Sequence, residues 1–559
     1  MDKLKPKLFS VMKTYKKEQF AKDIVAGIIV AIIALPLSIA LALASGVTPE
    51  RGLYTAIVAG FIISFLGGSR VQISGPTAAF ATIVAGIVAR NGMEGLAVAT
   101  IMAGAMLIIM GLLKFGRLLR FIPYTITTGF TFGIAVTIFI GQIKDFLGLT
   151  LHTKPIETIE KLEACFKSIT TINVWALLIG AISIAILIIW PKINSKIPGS
   201  LIAVVVAAAL VKLFKIDVNT IGSLYEISSK PPTFQFPAMN LTMIKTLMPD
   251  AFTIAVLAGV ESLLSCVVAD GMIGSKHRSN MELIAQGTGN IFSSLFGGIP
   301  ATGAIARTAA NVKNGGRTPI AGMVHAISLF LILVVLMPYA ALIPMPTIAA
   351  ILFIVAYNMS EWREFVELIK KSPKSDIIVL VATFSLTVIF DLVIAIEVGV
   401  VMAAILFMKR MADVADVQSW KYIEDDNTDD DLSDADNIRL KKVPKHTLVY
   451  EINGPMFFGA ADKFMNISLD SHVKVVILRM RSVPAMDVNA LHALHNVIKA
   501  CEKRHITVML SHVQEQPLHM MQKAGFDKQI GEENILDNID NALVRAAELQ
   551  KSLTRHQAS

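Results

Sequence analysis

Apolar blocks about as long as a bilayer is thick follow one another from Ile24 to about Met408. Each helical crossing of the hydrocarbon core needs about 20 mostly apolar residues, and within lipid only helices and closed barrels satisfy every backbone polar group. The 559 residues are 54% hydrophobic and 17% charged, whereas an ordinary soluble chain has about 25% charged residues. These blocks therefore predict an α-helical polytopic membrane protein.

Fourteen transmembrane segments can be counted, several of them shorter than a full span. They lie near residues 24–44, 52–67, 75–89, 95–114, 122–142, 173–190, 198–214, 250–268, 283–296, 300–312, 319–338, 341–357, 376–390 and 392–408. The first block runs on to about Ala44 without a small-residue cleavage pattern, which favours a retained span over a signal peptide.

Positive charge gathers in the loops on one side of these segments. Six alternate loops are net basic, and the opposite loops are nearly uncharged or mixed. Together with the Lys-rich residues 1–23, this pattern places both termini in the cytoplasm by the positive-inside rule. The formal net charge of +8 therefore reflects membrane topology, and no nucleic-acid partner is expected.

Two segments are broken by glycine and proline. The stretch FGGIPATGAIART, residues 296–308, contains an apolar run too short to cross a bilayer, and GGSRVQISGPTAAFAT, residues 67–82, has a similar interruption. In each case a Gly-Gly pair ends the preceding segment. A helix that begins inside the membrane leaves its first N–H groups without partners unless it faces water, a ligand or other protein. Each break therefore predicts a functional cavity.

The two breaks occupy matching positions, because each is the third segment of a set of seven. The two segments run in opposite directions, so their N-termini are expected to face each other near the midplane. Such paired breaks indicate the substrate site of a transporter built from an inverted repeat. Two helix N-termini favour an anion, and small residues such as Ala78, Gly303 and Ala304 leave the amides accessible. The alternative is that these small residues only allow close helix packing.

Two charged residues lie near the breaks. Arg307, one turn past Gly303, is predicted to attract the anion, the alternative being that it snorkels to the nearby membrane surface. Glu261 lies deep in an apolar segment, where a carboxylate is costly unless it is paired or protonated. It is predicted to carry a proton or hold a sodium ion; alternatively, it is a structural carboxyl bonded to Ser262, Ser265 or the broken helix.

Four stretches together resemble the sulfate permease family of anion transporters. They are LPLSIALALASGVTPERGLYTA in the first two segments, SGPTAAF in the third, ESLLSCVVADGMIGSKHRSNMELIAQGTGNI in the eighth and ninth, and IARTAANVKNGGRTP in the tenth. Within that family the chain looks most similar to bacterial dicarboxylic-acid uptake transporters. The resemblance runs over nearly the whole chain.

The resemblance implies a 7+7 inverted repeat with a core of segments 1–4 and 8–11 and a gate of segments 5–7 and 12–14. It also implies a homodimer in the bacterial inner membrane and an elevator-like movement of the core against the gate. Glu261 matches the acid that serves cation binding or coupling in bacterial relatives. By position, the anion would be bound by Thr77, Ala78, Gly303, Ala304, Ile305 and Arg307.

The sequence departs from the family at the first segment. Many relatives read Pro-Gln-Ser with an aromatic residue four positions after the Gln, whereas Pro36 is followed here by Leu37 and Leu41. These two residues are expected to line the pocket. The loss of a polar contact and a ring argues against a small hydrated oxyanion and favours the carbon backbone of an organic acid.

The leading hypothesis is therefore proton-coupled uptake of a C4-dicarboxylate such as succinate, fumarate or aspartate. Sulfate or bicarbonate transport coupled to sodium or protons is the alternative. A nucleobase transporter, an uncoupled anion channel and a membrane sensor are further possibilities. No enzyme and no cofactor are expected, because the chain contains no phosphate-binding glycine loop, no Ser/His/Asp order and no HExxH motif.

Beyond the membrane segments, which form a transport domain at residues 24–412, the sequence becomes polar. Residues 413–445 include the acidic run EDDNTDDDLSDAD and are predicted to be a solvated linker. Residues 446–559 alternate buried strands with amphipathic helices. They resemble the small cytoplasmic α/β domain shared by sulfate transporters and anti-sigma-factor antagonists, the STAS domain.

The STAS-like region lacks two kinds of site. Val488 and Asn489 follow Asp487 where the switch motif of such domains has a phosphorylatable hydroxyl, so a scaffold role with an unidentified partner is expected. Neither the seven histidines from His446 to His519 nor the three cysteines of the chain have metal-ligand spacing. No metal site is therefore predicted.

Overall fold

The computed structural model describes residues 4–116, 123–151, 155, 157–194, 197–390, 392–414, 416–420, 443–458 and 472–557. The chain divides into two compact units, Met1–Ala403 and Ala404–Ser559. The first contains the membrane helices and the second contains the α/β domain.

The described part of the first half of the membrane unit contains eight α-helices, from five to 35 residues long, and one short strand. The helices begin with α1 (Lys7–Val11) and α2 (Lys17–Ala44), and proline at the first position of the next helix, Pro49, is typical of a helix start. The remaining elements are α3 (Pro49–Leu66), β1 (Ser74–Gly75), α4 (Ala78–Leu112), α5 (Tyr124–Leu147), α6 (Thr158–Lys167), α7 (Val174–Ile193) and α8 (Gly199–Phe214).

The second half repeats this pattern. After the one-turn helix α9 (Ile221–Leu224) come α10 (Leu241–Ile273), α11 (Ser279–Leu295), β2 (Thr302–Gly303), α12 (Ile305–Lys313), α13 (Pro319–Ala340), α14 (Met345–Ser360), α15 (Trp362–Lys371), α16 (Lys374–Ile389) and α17 (Leu392–Val414). The described helices account for all fourteen predicted segments, because α4 contains the third and the fourth.

Helix lengths differ from the sequence-based bounds in three places. Gly92, with φ +66°, kinks α4 and divides it into the two predicted segments without a loop. Helix α10 has 33 residues and is longer than the predicted segment at 250–268. Helix α12 has only nine residues because the chain before it is extended as β2. Six described helices, α2, α4, α5, α7, α10 and α13, are long and apolar enough to cross a membrane alone.

The membrane helices pack in two groups. Helices α2, α3 and α4 pack against α10, α11, α12 and α13, whereas α5, α7 and α8 pack against α14, and α5 also packs against α16. Apart from the fourteenth segment, α17, these groups contain the segments that the resemblance implies for a core and a gate. That they move against each other stays a prediction.

The second unit is a five-stranded sheet with helices on both faces. Its elements are β3 (Asp416–Trp420), β4 (Thr447–Asn453), β5 (Val475–Ser482), α18 (Val488–Glu502), β6 (Thr507–Ser511), α19 (Glu515–Lys523), α20 (Phe526–Ile530), β7 (Ile535–Leu536) and α21 (Ile539–Gln557). The strand order is β3-β4-β5-β6-β7, in which only the β3–β4 pair is antiparallel.

Alternate residues of the central strand face opposite sides of this sheet. Val476 and Leu478 pack into the cluster that contains Leu494 of α18, and Ile477 packs into the cluster that contains Leu543 of α21. A strand buried on both faces is typical of parallel sheets.

One boundary prediction was wrong. Residues 416–420 were assigned to the acidic linker but form the edge strand β3, whose register pairs Asp416 with Asn453. The acidic run itself, residues 424–436, lies outside the described residues. Residues 416–420 contain no hydrophobic run that would distinguish a strand from the polar segment that follows.

Candidate anion-binding site

The two broken segments meet in a short antiparallel crossing. Ser74 of β1 lies opposite Gly303 of β2, and Gly75 lies opposite Thr302. The amide of Ala304 also donates a hydrogen bond to the carbonyl oxygen of Ile73 at 2.9 Å. Helices α4 and α12 therefore begin beside the same two-residue ladder, as the inverted topology predicts.

Neither of these helix ends is capped by a side chain. Thr77 is the N-cap residue of α4 and Ala304 is that of α12, and neither side chain accepts a hydrogen bond from the first turn of its helix. By contrast, Asn173 and Asn240 cap α7 and α10 through their side-chain oxygens. Two uncapped N-termini at one place present backbone donors and partial positive charge, an arrangement that favours an anion.

The Thr77 hydroxyl is bonded to Glu261 and does not cap helix α4. It donates a hydrogen bond to Glu261 Oε2 at 3.0 Å, which joins α10 to the start of α4. The structure therefore brings the predicted coupling acid to the predicted anion site. The serines that the alternative reading considered make other contacts: Ser262 bonds Glu282, and Ser265 lies 3.4 Å from the Thr308 hydroxyl.

Arg307 lies behind the crossing and is only 2% exposed. Its Nη2 donates to the carbonyl oxygen of Pro76 at 3.1 Å, whereas Nε and Nη1 are buried without a hydrogen-bond partner. The side chain therefore does not reach the membrane surface, and the snorkelling alternative is wrong. A buried guanidinium with two unused donors is costly unless an anion or water completes its hydrogen bonds.

Glycine at two positions of the crossing lets side chains approach the backbone closely. A Cβ at Gly75 would lie 2.6 Å from Arg307 Nη1, and one at Gly303 would lie 2.0 Å from Gln72 Nε2 and 3.2 Å from Ser262 Cα. At 2.6 and 2.0 Å, a Cβ would displace the Arg307 or the Gln72 side chain. The two glycines thus let Arg307 and Gln72 pass directly behind β1 and β2.

Sequence reasoning missed the buried acid that supports this arrangement. Glu282 of α11 is 0% exposed, and its Oε2 accepts from the amides of Gly68 at 2.8 Å and Ser69 at 3.2 Å. Its Oε1 accepts from Ser262 at 3.2 Å and Gln286 at 3.0 Å. Four donors around one carboxylate fix the loop before β1 to α10 and α11.

Gln72 and His325 were missed as well. Gln72 Nε2 donates to Ser262 Oγ at 2.8 Å, and the Cys266 thiol lies against the Gln72 side-chain oxygen. His325 on α13 is 0% exposed, neither ring nitrogen has a hydrogen-bond partner, and Arg307 is close enough to interact with it electrostatically. A single polar residue in an apolar segment gave no signal that distinguished these residues from ordinary helix-packing contacts.

The remaining predicted residues lie on the same elements with different exposure. Ala78 is buried at the start of α4, and Ile305 is 39% exposed at the start of α12. On α2, Leu41 is buried and Leu37 is half-buried. An apolar cavity of about 380 Å³ between α2, α3, α8 and α13 is lined on α2 by Leu35, Pro36 and Ile39. Leu37 and Leu41 do not line this cavity, and their place in the anion pocket stays a prediction.

Within the described ranges, no three histidine, cysteine, aspartate or glutamate side chains are grouped to hold a metal ion. Cys165, Cys266 and Cys501 are free and buried. The groups that the described residues bring to the crossing are backbone amides, hydroxyls, one guanidinium and one carboxylate.

Comparison with known families gives two matches along the chain. The model of the sulfate permease family matches residues 20–383, and that of the STAS domain matches residues 437–542. Both agree with the resemblance drawn from the motifs.

Individual relatives cover almost the whole chain. A putative sulfate transporter of Bacillus subtilis, YvdB, is 41% identical over 94% of this chain and 98% of its own length. The bicarbonate transporter BicA of Picosynechococcus is 31% identical over 94% of each chain.

Solved structures share the fold. The murine anion transporter Slc26a9, in an inward-facing state, has a TM-score of 0.86 at 20% identity and covers 96% of this chain and 93% of that one. The transmembrane domain of a cyanobacterial BicA has a TM-score of 0.62 at 29% identity, covering 68% and 98%. The predicted fold class, fourteen helical segments in a 7+7 inverted repeat followed by a STAS-type α/β domain, is confirmed.

Proposed function

Since the chain belongs to the sulfate permease family, we propose that it moves sulfate or bicarbonate across the bacterial inner membrane by secondary active transport. Membership of this family makes it a multi-pass anion transporter and not an enzyme. The observation that carries the proposal is the meeting of two uncapped helix N-termini at the β1–β2 crossing, with Arg307 buried behind it.

The names of the relatives support an inorganic oxyanion more than a dicarboxylate. YvdB and BicA are named for sulfate and bicarbonate respectively, so the alternative weighed from the sequence becomes the leading proposal. Succinate, fumarate or aspartate remains the second candidate. Leu37 and Leu41 favour it, because they replace a polar and an aromatic residue on α2 with aliphatic side chains.

The contact between Thr77 and Glu261 supports coupling to a cation. An anion bound at the start of α4 and a charged Glu261 would repel each other, because both draw on the same positive helix end. A proton or a sodium ion on Glu261 removes that repulsion, so anion and cation bind better together. A coupling free energy of roughly 1–3 kcal/mol is typical of linked sites.

The remaining parts of the proposal concern the assembly. We place both termini in the cytoplasm on the basis of the basic loops. The transporter works as a homodimer in lipid, in which the α2–α4 and α10–α13 group moves as an elevator against the other group. The partner of the STAS domain is not identified by its sequence.

The substrate is tested by uptake of labelled sulfate, bicarbonate and succinate into proteoliposomes that contain the purified chain. We expect one of the first two to accumulate above its equilibrium level when an inward proton or sodium gradient is imposed. Empty liposomes serve as the control. Succinate accumulation with no sulfate or bicarbonate uptake would reverse the order of the two candidates, and no uptake of any anion would contradict the proposed transport.

The coupling role is tested by Glu261→Gln. This variant keeps the size of the side chain and a hydrogen-bond acceptor for Thr77 but cannot take up a proton or attract a sodium ion. We expect gradient-driven accumulation to fall about tenfold, which corresponds to roughly 1.4 kcal/mol of lost coupling, while exchange of internal for external anion continues.

Glu397→Gln is the matched control, because Glu397 is an exposed acid of α17 away from the crossing. It should accumulate anion as the unmodified chain does. Full gradient-driven accumulation by Glu261→Gln would remove Glu261 from the coupling mechanism and leave the anion site untouched.

A further inference from the structure

A pocket with three cationic side chains lies where the N-terminal segment, residues 4–23, contacts the core. It is lined by Lys16, Arg70 and Arg317 together with Tyr15, Gln19 and Thr318, and its volume is about 280 Å³. This group of six residues is called the basic pocket below. Its volume is near the lower end of the roughly 300–1,000 Å³ of known ligand pockets.

A carboxylate beside the basic pocket is already bonded to other donors. Asp23 of α2 is 0% exposed and accepts hydrogen bonds from the hydroxyls of Tyr15 at 2.9 Å and Thr318 at 2.5 Å. It also accepts from Gln19 Nε2 and from the Arg317 amide, each at 2.9 Å. These bonds build the wall of the pocket and leave its cations without that partner.

Arg70 shows the shortage of anionic partners most directly. Its Nε is buried and has no hydrogen-bond partner. Lys7, in the N-terminal segment, responds to the same positive charge: burial and the nearby Arg278 and Arg70 lower the pKa of its ammonium group. Basic loops alone explain why cations lie on this face, but not why they line a cavity instead of pointing into solvent.

The basic pocket is connected to the crossing through a short stretch of backbone. Arg70 precedes Val71, whose carbonyl oxygen accepts from Asn311 Nδ2 at 2.8 Å. Val71 packs with Ala269 and Val312 in one buried cluster. The next residue, Gln72, contacts the back of β2 at Gly303. A ligand bound to Arg70 is therefore linked to residues 70–73, which lead into β1.

We propose that the basic pocket is a second anion site, distinct from the crossing, which binds a phosphate group and stabilises the N-terminal segment against the core. Three cations around a small cavity suit a compact group with more than one negative charge, and Arg side chains match phosphate geometry well. The phosphate is that of a soluble ester or of a lipid headgroup, since both present the same oxygens.

The proposal is tested by titrating the purified full-length chain in detergent with inorganic phosphate, using calorimetry at constant ionic strength. Arg70→Gln and Lys16→Gln should each weaken phosphate binding at least tenfold. Lys13→Gln is the matched control, because it removes the same charge from an exposed neighbour that does not line the pocket; its affinity should stay within twofold. Lys16 is exposed, so its variant is expected to fold normally.

Arg307→Gln separates this site from the transport site. Phosphate binding that persists in Arg307→Gln and is lost in Arg70→Gln supports the inference, even if the proposed transport function fails. Unchanged affinity in both pocket variants overturns it, as does loss of binding in Arg307→Gln with retention in Arg70→Gln. The source of the phosphate is tested by repeating the phosphate titration in nanodiscs of phosphatidylglycerol and of phosphatidylcholine. If the natural ligand is a lipid, phosphatidylglycerol abolishes binding of inorganic phosphate relative to phosphatidylcholine. If it is a soluble ester, binding is the same in both lipids.

Discussion

Replacing Arg307 with glutamine is expected to lower anion uptake by about 100-fold or more. The guanidinium is buried, it donates to Pro76, and two of its donor groups have no partner among the described residues. Removing one partner of a buried charged contact costs about 2–5 kcal/mol, and each 1.36 kcal/mol is a factor of ten. Uptake of the labelled anion into proteoliposomes at limiting concentration measures the effect.

Two further variants make this result specific to the charge behind the crossing. Lys313→Gln removes an exposed cation from the same helix and should change uptake less than twofold. Arg307→Lys keeps the positive charge but not the planar set of donors, so it should recover part of the activity. If Arg307→Gln were as active as the unmodified chain, the anion would not depend on this cation and the site would have to lie elsewhere.

Replacing Glu282 with glutamine is expected to destabilise the folded protein by about 1–3 kcal/mol, the cost of leaving a buried donor without its acceptor. The carboxylate accepts four hydrogen bonds, two of them from backbone amides. In glutamine, one of the two oxygens becomes an NH₂ group that cannot accept, so at least one buried donor loses its partner. Reversible unfolding in mixed detergent micelles measures the change.

An exposed acid provides the comparison. Glu94→Gln, on α4, should alter the free energy of unfolding by less than about 0.5 kcal/mol, as surface substitutions usually do. Equal stability of Glu282→Gln and the unmodified chain would mean that the loop before β1 is held by other contacts. A small loss of stability with a large loss of uptake would instead assign Glu282 a direct part in transport.

The candidate site could be predicted from the sequence because membrane helices follow a strict rule and the chain breaks it twice. Gly67–Gly68 and Gly297–Gly298 each precede a segment that is too short or too irregular to be an ordinary span. The opposite orientation of the two halves then predicts that the breaks meet, and the register Ser74–Gly303 agrees with this. That inference needed topology but no side-chain coordinates.

Glu282 could not be found in the same way. It follows the charged stretch Lys276–Arg278 by four residues, where an acid is normally a surface residue at the start of a helix. Its partners Gly68 and Ser69 lie more than 200 positions away in the sequence. Only the packing of α3 against α11 places those amides on the carboxylate.

The short helices were missed for a related reason. Helix α15 carries five charged residues in ten, and α6 carries four in ten, so neither has the composition of a span. A search for apolar blocks passes over amphipathic helices at a membrane surface. Their presence follows from an apolar stripe, such as the one that contains the buried Phe365, and not from mean hydropathy.

The backbone ladder between β1 and β2 has a consequence for how cargo is released. Since hydrogen bonds join the two halves of the repeat at the proposed anion site, the halves cannot separate there without breaking these bonds. In the proposed elevator movement, the β1–β2 crossing therefore moves as one unit, and the helices around it uncover it on each side of the membrane. An anion that contacts the same donors on both sides of the membrane is bound equally tightly on each side. The direction of net transport is then set by the gradients alone.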